Sequence, residues 1–193
     1  MHVLAHDAFY ELRTARNRNL ITSNEQAVLR TAAIGVAGMS VGSSAVAALV
    51  LEGTEHVRIA DFDTLSVSNL NRIRASVAHL GLNKVEIAAR ALYGLHPYLH
   101  LDTFPTGLTA ASLKKFVAGP PRLAVLVDEM DDLFMKIQLR QAGRALRIPV
   151  VSAADNGDGT IVDIERFDLE PKRPLFHGNV PELTAAEIQK LNF

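Results

Sequence analysis

Ala32-Ala-Ile-Gly-Val36, Ala37-Gly-Met-Ser-Val-Gly42 and Ser43-Ser-Ala-Val-Ala-Ala-Leu-Val-Leu-Glu52 follow one another without interruption. The first is an apolar run of strand length, the second a turn of small residues, and the third a helical segment stopped by Gly53. His56-Val-Arg-Ile-Ala60 supplies a second strand that ends on Asp61-Phe-Asp63. Strand, tight turn, helix and strand make one βαβ unit, and such a unit implies a parallel sheet.

The same alternation extends outward. Upstream, Ser23-Asn-Glu-Gln26 fits a capping box that opens a helix running to about Arg30. Downstream, a polar loop from Thr64 to Asn71 leads to helical stretches at Ser76–Leu80 and Lys84–Leu95, the second closed by His96-Pro97. Leu99–Thr103 reads as a strand, Thr109–Val117 as a short helix, and Gly119-Pro-Pro121 as a break. Leu123–Val127 suits a strand buried on both faces, Leu133–Leu146 has helical spacing, and Pro149–Ser152 and Thr160–Glu165 read as further strands. The expected fold is therefore α/β, a Rossmann-like doubly wound and mainly parallel sheet with helices on both faces. Residues 1–167 form the expected domain. Residues 168–193, rich in Pro and charge with a helix candidate from Thr184, form a tail that packs on it or leads to a further domain.

Composition narrows the function. Of 193 residues, 48% are hydrophobic and 21% charged, which fits a globular core. Lys+Arg 20 against Asp+Glu 21 leaves a net charge of −1, with no basic field to hold a polynucleotide, so nucleic acid is expected only as a modified-nucleoside substrate. No cysteine is present, which removes disulfides, thiolate zinc sites and thioester intermediates from this chain's own chemistry. The first residues lack a basic flank before an apolar block, and Ala45–Leu51 is far shorter than the roughly 18 residues of a bilayer span, so a cytoplasmic location and no membrane contact are expected.

Ligands of such sheets bind beyond the carboxyl ends of the strands. The glycine turn, Asp61 with Asp63, and Asp128, Glu129, Asp131 and Asp132 all fall at strand ends, so one crevice could gather them. Small residues in the turn would let backbone N–H groups approach a phosphate at the N-terminus of the following helix. Gly42 precedes Asp61 by 19 residues, close to the ~20 of a nucleotide-binding unit whose acid holds a ribose hydroxyl. Ser43 and Ser44 are expected to cap the helix. His56, His79, His96 and His100 are assigned non-metal roles, because Pro97 separates the closest pair and the others sit on different elements.

Asp61-Phe-Asp-Thr-Leu-Ser-Val-Ser-Asn-Leu-Asn-Arg72, then Gly81-Leu-Asn-Lys84, then Val127-Asp-Glu-Met-Asp131-Asp132 resemble the ThiF/MoeB/HesA family, adenylating domains related to ubiquitin-activating enzymes. The resemblance spans about Arg13 to Phe167. It implies that Asp61 binds the ribose of ATP with Asp63 beside it, that Asn69, Arg72 and Lys84 hold the phosphates, and that Asp131 binds Mg²⁺. It also implies a homodimer in which an N-terminal arginine crosses to the neighbouring site. Arg13, Arg16 and Arg18 are eligible, and Arg18 is preferred. The substrate it implies is the C-terminus of a ubiquitin-like or sulfur-carrier protein, or a small carboxylate. No zinc is expected, since the family's Cys-x-x-Cys pairs are missing.

Three departures stand against the resemblance. Its phosphate loop would have glycines where this chain has Ala37, Met39 and Ser40, so either Gly38 and Gly42 carry the loop or Met39 hinders nucleotide entry. Ile73 and Asp132 also replace the family's Gln and Asn. A non-catalytic scaffold with a degraded loop is therefore the alternative. An NAD-dependent oxidoreductase is a third reading, but it leaves Ser68-Asn-Leu-Asn-Arg72 and Lys84 unexplained.

Overall fold

A computed structural model describes residues 4–180 together with Glu187 and Lys190. Its six strands are β1 (Ala33–Ala37), β2 (His56–Ala60), β3 (His100–Phe104), β4 (Leu123–Asp128), β5 (Val150–Asn156) and β6 (Gly159–Glu165). They form one sheet in the order β3-β2-β1-β4-β5-β6. The first five are parallel neighbours, and β6 closes the edge antiparallel to β5. The chain winds away from β1 in both directions, so the β1/β4 boundary is the switch point where a crevice opens.

The helices are α1 (His6–Thr14), α2 (Ser23–Thr31), α3 (Gly42–Glu52), α4 (Lys84–Leu95), α5 (Ala110–Ala118) and α6 (Leu133–Leu146). One apolar layer sets Val46, Val50, Val85 and Leu92 of α3 and α4 against Ile34, Val36 and Ile59. The other packs Phe116 of α5 and Ile137 and Leu139 of α6 against Leu123, Leu126 and Val150. Every residue of β1 is buried, as an apolar run between two helical layers requires. Leu175 belongs to the second layer, with Phe176 and Val180 packed against it, so the described part of the tail lies on this sheet. The helix candidate from Thr184 lies outside the described residues, apart from Glu187 and Lys190.

Two caps differ from the sequence expectation. The capping box of α2 is Thr22 with Glu25, one residue earlier than Ser23 with Gln26; Thr22 accepts from the Glu25 N–H, and Glu25 accepts from the Thr22 N–H at 2.7 Å. A hydroxyl lies three residues before an acceptor in both frames, and the carboxylate is the stronger acceptor. Ser43 and Ser44 do not cap α3: its N-cap is Val41, without a side-chain cap, and the Ser43 hydroxyl donates to the Ser40 carbonyl at 2.9 Å. The stretch Ser76–Leu80 holds only a 3-10 turn at Val77–His79. Helix α1 and the 3-10 turn Ala15–Asn19 precede everything the periodicity marked. Among the described residues no helix is long and apolar enough to cross a membrane.

Candidate active site

Beyond the carboxyl ends of β1, β2 and β4 lies a cleft walled by Gly38 and Ser40, by Asp61 and Asp63, and by Glu129 and Asp131. Lys84 and Asp132 complete its polar lining, while Phe62, Leu108 and Met135 give it an apolar side. Charged groups thus converge with a hydrophobic wall, as a site that both orients and desolvates a ligand requires.

The turn after β1 is held from two sides. Gly38 donates its N–H to the Ala60 carbonyl at 2.8 Å and has φ +91°. A Cβ there would collide with the backbone carbonyl of Glu129, so both the left-handed conformation and the close crossing demand glycine. Asp61, 9% exposed, accepts the Met39 N–H at 2.6 Å and the Asp63 N–H at 2.8 Å. One carboxylate therefore fixes the turn after β1 to the turn after β2.

Met39 does not stand in the cleft. Its side chain is fully buried among Val46, Val85 and Leu92, and Ala37 is fully buried in the opposite layer. Gly42 serves the same packing, because a Cβ would press on Val36 Cγ1 at 2.9 Å. The turn reaches the cleft with Gly38 and Ser40, and the Met39 side chain faces the core.

The cations flank this turn. Lys84, buried at the first position of α4, points its Nζ to Asp63 Oδ2 at 2.7 Å. Asn83 accepts the Val85 N–H at 2.9 Å and so sets the start of that helix. Arg72 is exposed at the rim; its Nε donates to the Ser40 hydroxyl at 2.8 Å and its Nη1 to Asn71 Oδ1 at 3.0 Å. Asn69 stands behind the lining, buried, with its side-chain oxygen accepting the Ser66 N–H at 3.0 Å. Ile73 is a core residue packed with Leu65 and Ile87.

The acids after β4 separate by role. Asp128 is not in the crevice: fully buried, it pairs with Arg140, which also bonds Glu165 Oε2 at 2.5 Å, and Phe176 lies over the guanidinium at 4.2 Å. Strand alternation sends Asp128 beneath the sheet end and Glu129 above it. Asp132 is the N-cap of α6 and accepts the Met135 N–H at 3.3 Å. Asp131 is exposed on the cleft wall with no structural bond among the described residues. Glu129 accepts the Ala153 N–H at 2.9 Å, and burial pushes its carboxyl above the usual range.

Arg13, Arg16 and Arg18 lie elsewhere. Arg13 donates to the Val50 carbonyl at 2.6 Å and so closes the C-terminal end of α3. Arg16 and Arg18 follow in the exposed 3-10 turn, where Asn17 donates to the Glu52 carbonyl at 2.9 Å. The cleft is at the other end of α3, whose 11 residues span about 16 Å.

The structure thus gathers Gly38, Asp61, Asp63, Lys84 and Asp131 in one cleft with Arg72 at its rim, and sets Gly42, Asn69 and Arg18 outside the lining. The fit for a nucleoside triphosphate with a hard cation rests on three observations. Lys84 and Arg72 supply positive charge, the start of α3 carries no side-chain cap, and Asp131 offers free carboxylate oxygens. The sequence did not mark Phe62 or Leu108 as lining residues, and it marked Ser40 only as a replaced glycine. Phe62 sat in plain view between two chosen acids, 68% exposed, whereas Leu108 follows a weak strand and gave no signal.

Fold and cleft define an α/β protein of the doubly wound class with its site at the switch point. More particularly, the chain belongs to the ThiF family, whose model matches residues 14–189. It is 41% identical over 187 residues to an uncharacterized protein of Mycobacterium tuberculosis (strain CDC 1551 / Oshkosh), covering 96% of this chain and 26% of that one. It is 31% identical to the molybdopterin-synthase adenylyltransferase of Escherichia coli (strain K12), covering 74% of this chain and 56% of the relative. The chain thus spans from a quarter to little more than half the length of these relatives. In fold it is similar to the E. coli tRNA N6-threonylcarbamoyladenosine dehydratase TcdA in complex with AMP, with TM-score 0.73 and 24% identity, covering 82% of this chain and 65% of that one.

Proposed function

We propose that this chain binds ATP in the cleft and adenylates a carboxylate. The observation that carries the reading is the pairing of Lys84 and Arg72 around the turn that Asp61 clamps, with the free carboxylate of Asp131 on the facing wall. Relatives named as adenylyltransferases, and a neighbour solved with AMP, support it.

In this reading a carboxylate oxygen of the substrate attacks the α-phosphorus, the bond to the bridging oxygen breaks, and pyrophosphate leaves with the electron pair. Lys84 and Arg72 neutralise the charge that gathers on the phosphoryl oxygens during the displacement. Asp61 holds the turn and accepts from the ribose, with Asp63 keeping the Lys84 ammonium aimed into the cleft. Asp131, with Asp132 beside it, would hold Mg²⁺, which when bound adds further neutralisation. Glu129 and Phe62 shape the remaining wall.

With no cysteine, this chain cannot itself take the acyl group as a thioester. The substrate is a carrier-protein C-terminus or a small carboxylate, and the kinship with enzymes named for tRNA modification adds a nucleoside carboxylate. An arginine of the 3-10 turn, Arg18 first, would complete the site from a second copy, since its own cleft is at the far end of α3.

ATP–pyrophosphate exchange tests the reading. The parent protein, given a competent carboxylate, exchanges label, and Arg72→Ala and Lys84→Ala each lose it. Exchange undiminished in both variants would overturn the mechanism. An Arg18→Ala protein mixed with an Arg72→Ala protein should recover activity; no recovery in dimers shown to exchange subunits would place each site within one chain.

A further inference from the structure

At the end of the sheet opposite the cleft, a single buried carboxylate gathers side chains from three helices. Glu55 stands just before β2, 4% exposed. Its Oε1 meets Nε2 of His6, from α1, at 2.6 Å and Nε2 of His96, at the end of α4, at 2.8 Å. Its Oε2 accepts from Nε of Arg30, on α2, at 2.8 Å.

Aromatic rings wall the cluster. Tyr98 stacks on His6 with ring centres 4.8 Å apart, and Phe9 stacks on His96 at 5.6 Å. His96 is fully buried; its Nε2 faces the Glu55 carboxylate as a donor, and its Nδ1 has no hydrogen-bond partner among the described residues. The His6 side chain keeps 34% of its exposure and opens the cluster to solvent.

We propose that His6, Glu55 and His96 form a binding site for a divalent transition-metal ion, and that zinc is the ion this donor set suits. Two imidazoles and one carboxylate oxygen with a fourth position open to water are a recurrent zinc environment. The three donor atoms already lie within 4.8 Å of one another. Around a tetrahedral ion with bonds of about 2.1 Å, donors stand about 3.4 Å apart. The His6 and His96 pairs with Glu55 therefore need to open by about 0.8 and 0.6 Å, the first by movement of the partly exposed His6 ring and the second by movement of the Glu55 carboxylate.

Around the cluster Glu55 and Asp7 are set against Arg30 and Arg13. Asp7 accepts from the Arg30 guanidinium at 2.7 Å, so two carboxylates face one guanidinium within the cluster. The nearby Arg13 donates from Nη1 to the carbonyls of Val50 and Leu51, while its Nε and Nη2 are buried without hydrogen-bond partners among the described residues. Arg30 occupies the second Glu55 oxygen and so orients the ligating one, as partners of metal-bound carboxylates do. An ion here would fasten α1, and the arginines that follow it, to the sheet.

The site is tested on the full chain after chelator treatment, by titration with Zn²⁺ and with Co²⁺ as a spectroscopic probe. One equivalent per chain should bind, with the visible absorption of tetrahedral Co²⁺, a raised Tm and slower hydrogen exchange in α1. His6→Ala and His96→Gln should each weaken binding by about tenfold or more, while Asp131→Asn binds as the parent does and so separates this ion from any cation in the cleft. His6 is partly exposed, so its variant keeps the test decisive even where His96→Gln fails to fold. Binding equal in His6→Ala and parent, or no saturable binding at micromolar metal, would overturn the site and leave the cluster a hydrogen-bonded clamp.

Discussion

Two ion pairs of this chain look alike on paper and differ in what surrounds them. Arg140 lies between Asp128 and Glu165, all three buried, with the Phe176 ring over its guanidinium. Lys84 meets Asp63 at the cleft, where the Lys84 side chain is 7% exposed and that of Asp63 is 50%. The first cluster is buried, with Lys136 reaching Asp128 from its edge at 3.6 Å; the second has one partner half in water. A closed network spends its charge on holding elements together, whereas a half-open pair leaves a cation to be re-partnered by a ligand.

That contrast is most severely tested by Arg140→Ala, which would leave buried Glu165 without its cation and Asp128 with only Lys136 Nζ at 3.6 Å, and cost about 3–5 kcal/mol of stability. Urea unfolding reads this directly, and a loss below about 1 kcal/mol would show that water already reaches the network. Next in size, Lys84→Ala and Arg72→Ala should reduce pyrophosphate exchange by about 10²–10³-fold, with Tm nearly unchanged. If either melts as early as Arg140→Ala, the division between holding and binding fails.

A smaller effect belongs to Asp131→Asn, which should raise the Mg²⁺ concentration for half-maximal activity without touching stability. An unaltered Mg²⁺ titration would remove the metal role. The smallest concerns Glu129. Its carboxyl lies above the ordinary 4.5 because of burial, so the folded state holds the proton more tightly than the unfolded chain. Stability should then decline as pH rises from about 4.5 through the folded value. Glu129→Gln should flatten that decline; an identical Tm profile in both proteins would mean the group is solvated.

Much of this was legible because β1, β4 and α6 are apolar in patterns that permit few placements. Leu133–Leu146 was read to the residue, and the strand-end acids followed from alternation. Side-chain direction was not legible. Asp128 and Glu129 are adjacent in sequence and part company in space, and Met39, an obstacle on paper, is a core residue. Nor could spacing bring His6 to His96, since the contact depends on α1 folding back over the sheet edge, which no periodic pattern announced.

The turn between β1 and α3 has a last consequence. With one left-handed glycine, Gly38, where a loop of four would be freer, the unfolded chain has fewer states to surrender, by roughly 0.5–1 kcal/mol for each glycine replaced. Met39 anchors the segment from within and Asp61 from the side, so the loop is set before any ligand arrives. Ligand capture then costs little ordering, and the turn's amides should exchange as slowly in the empty protein as in the loaded one.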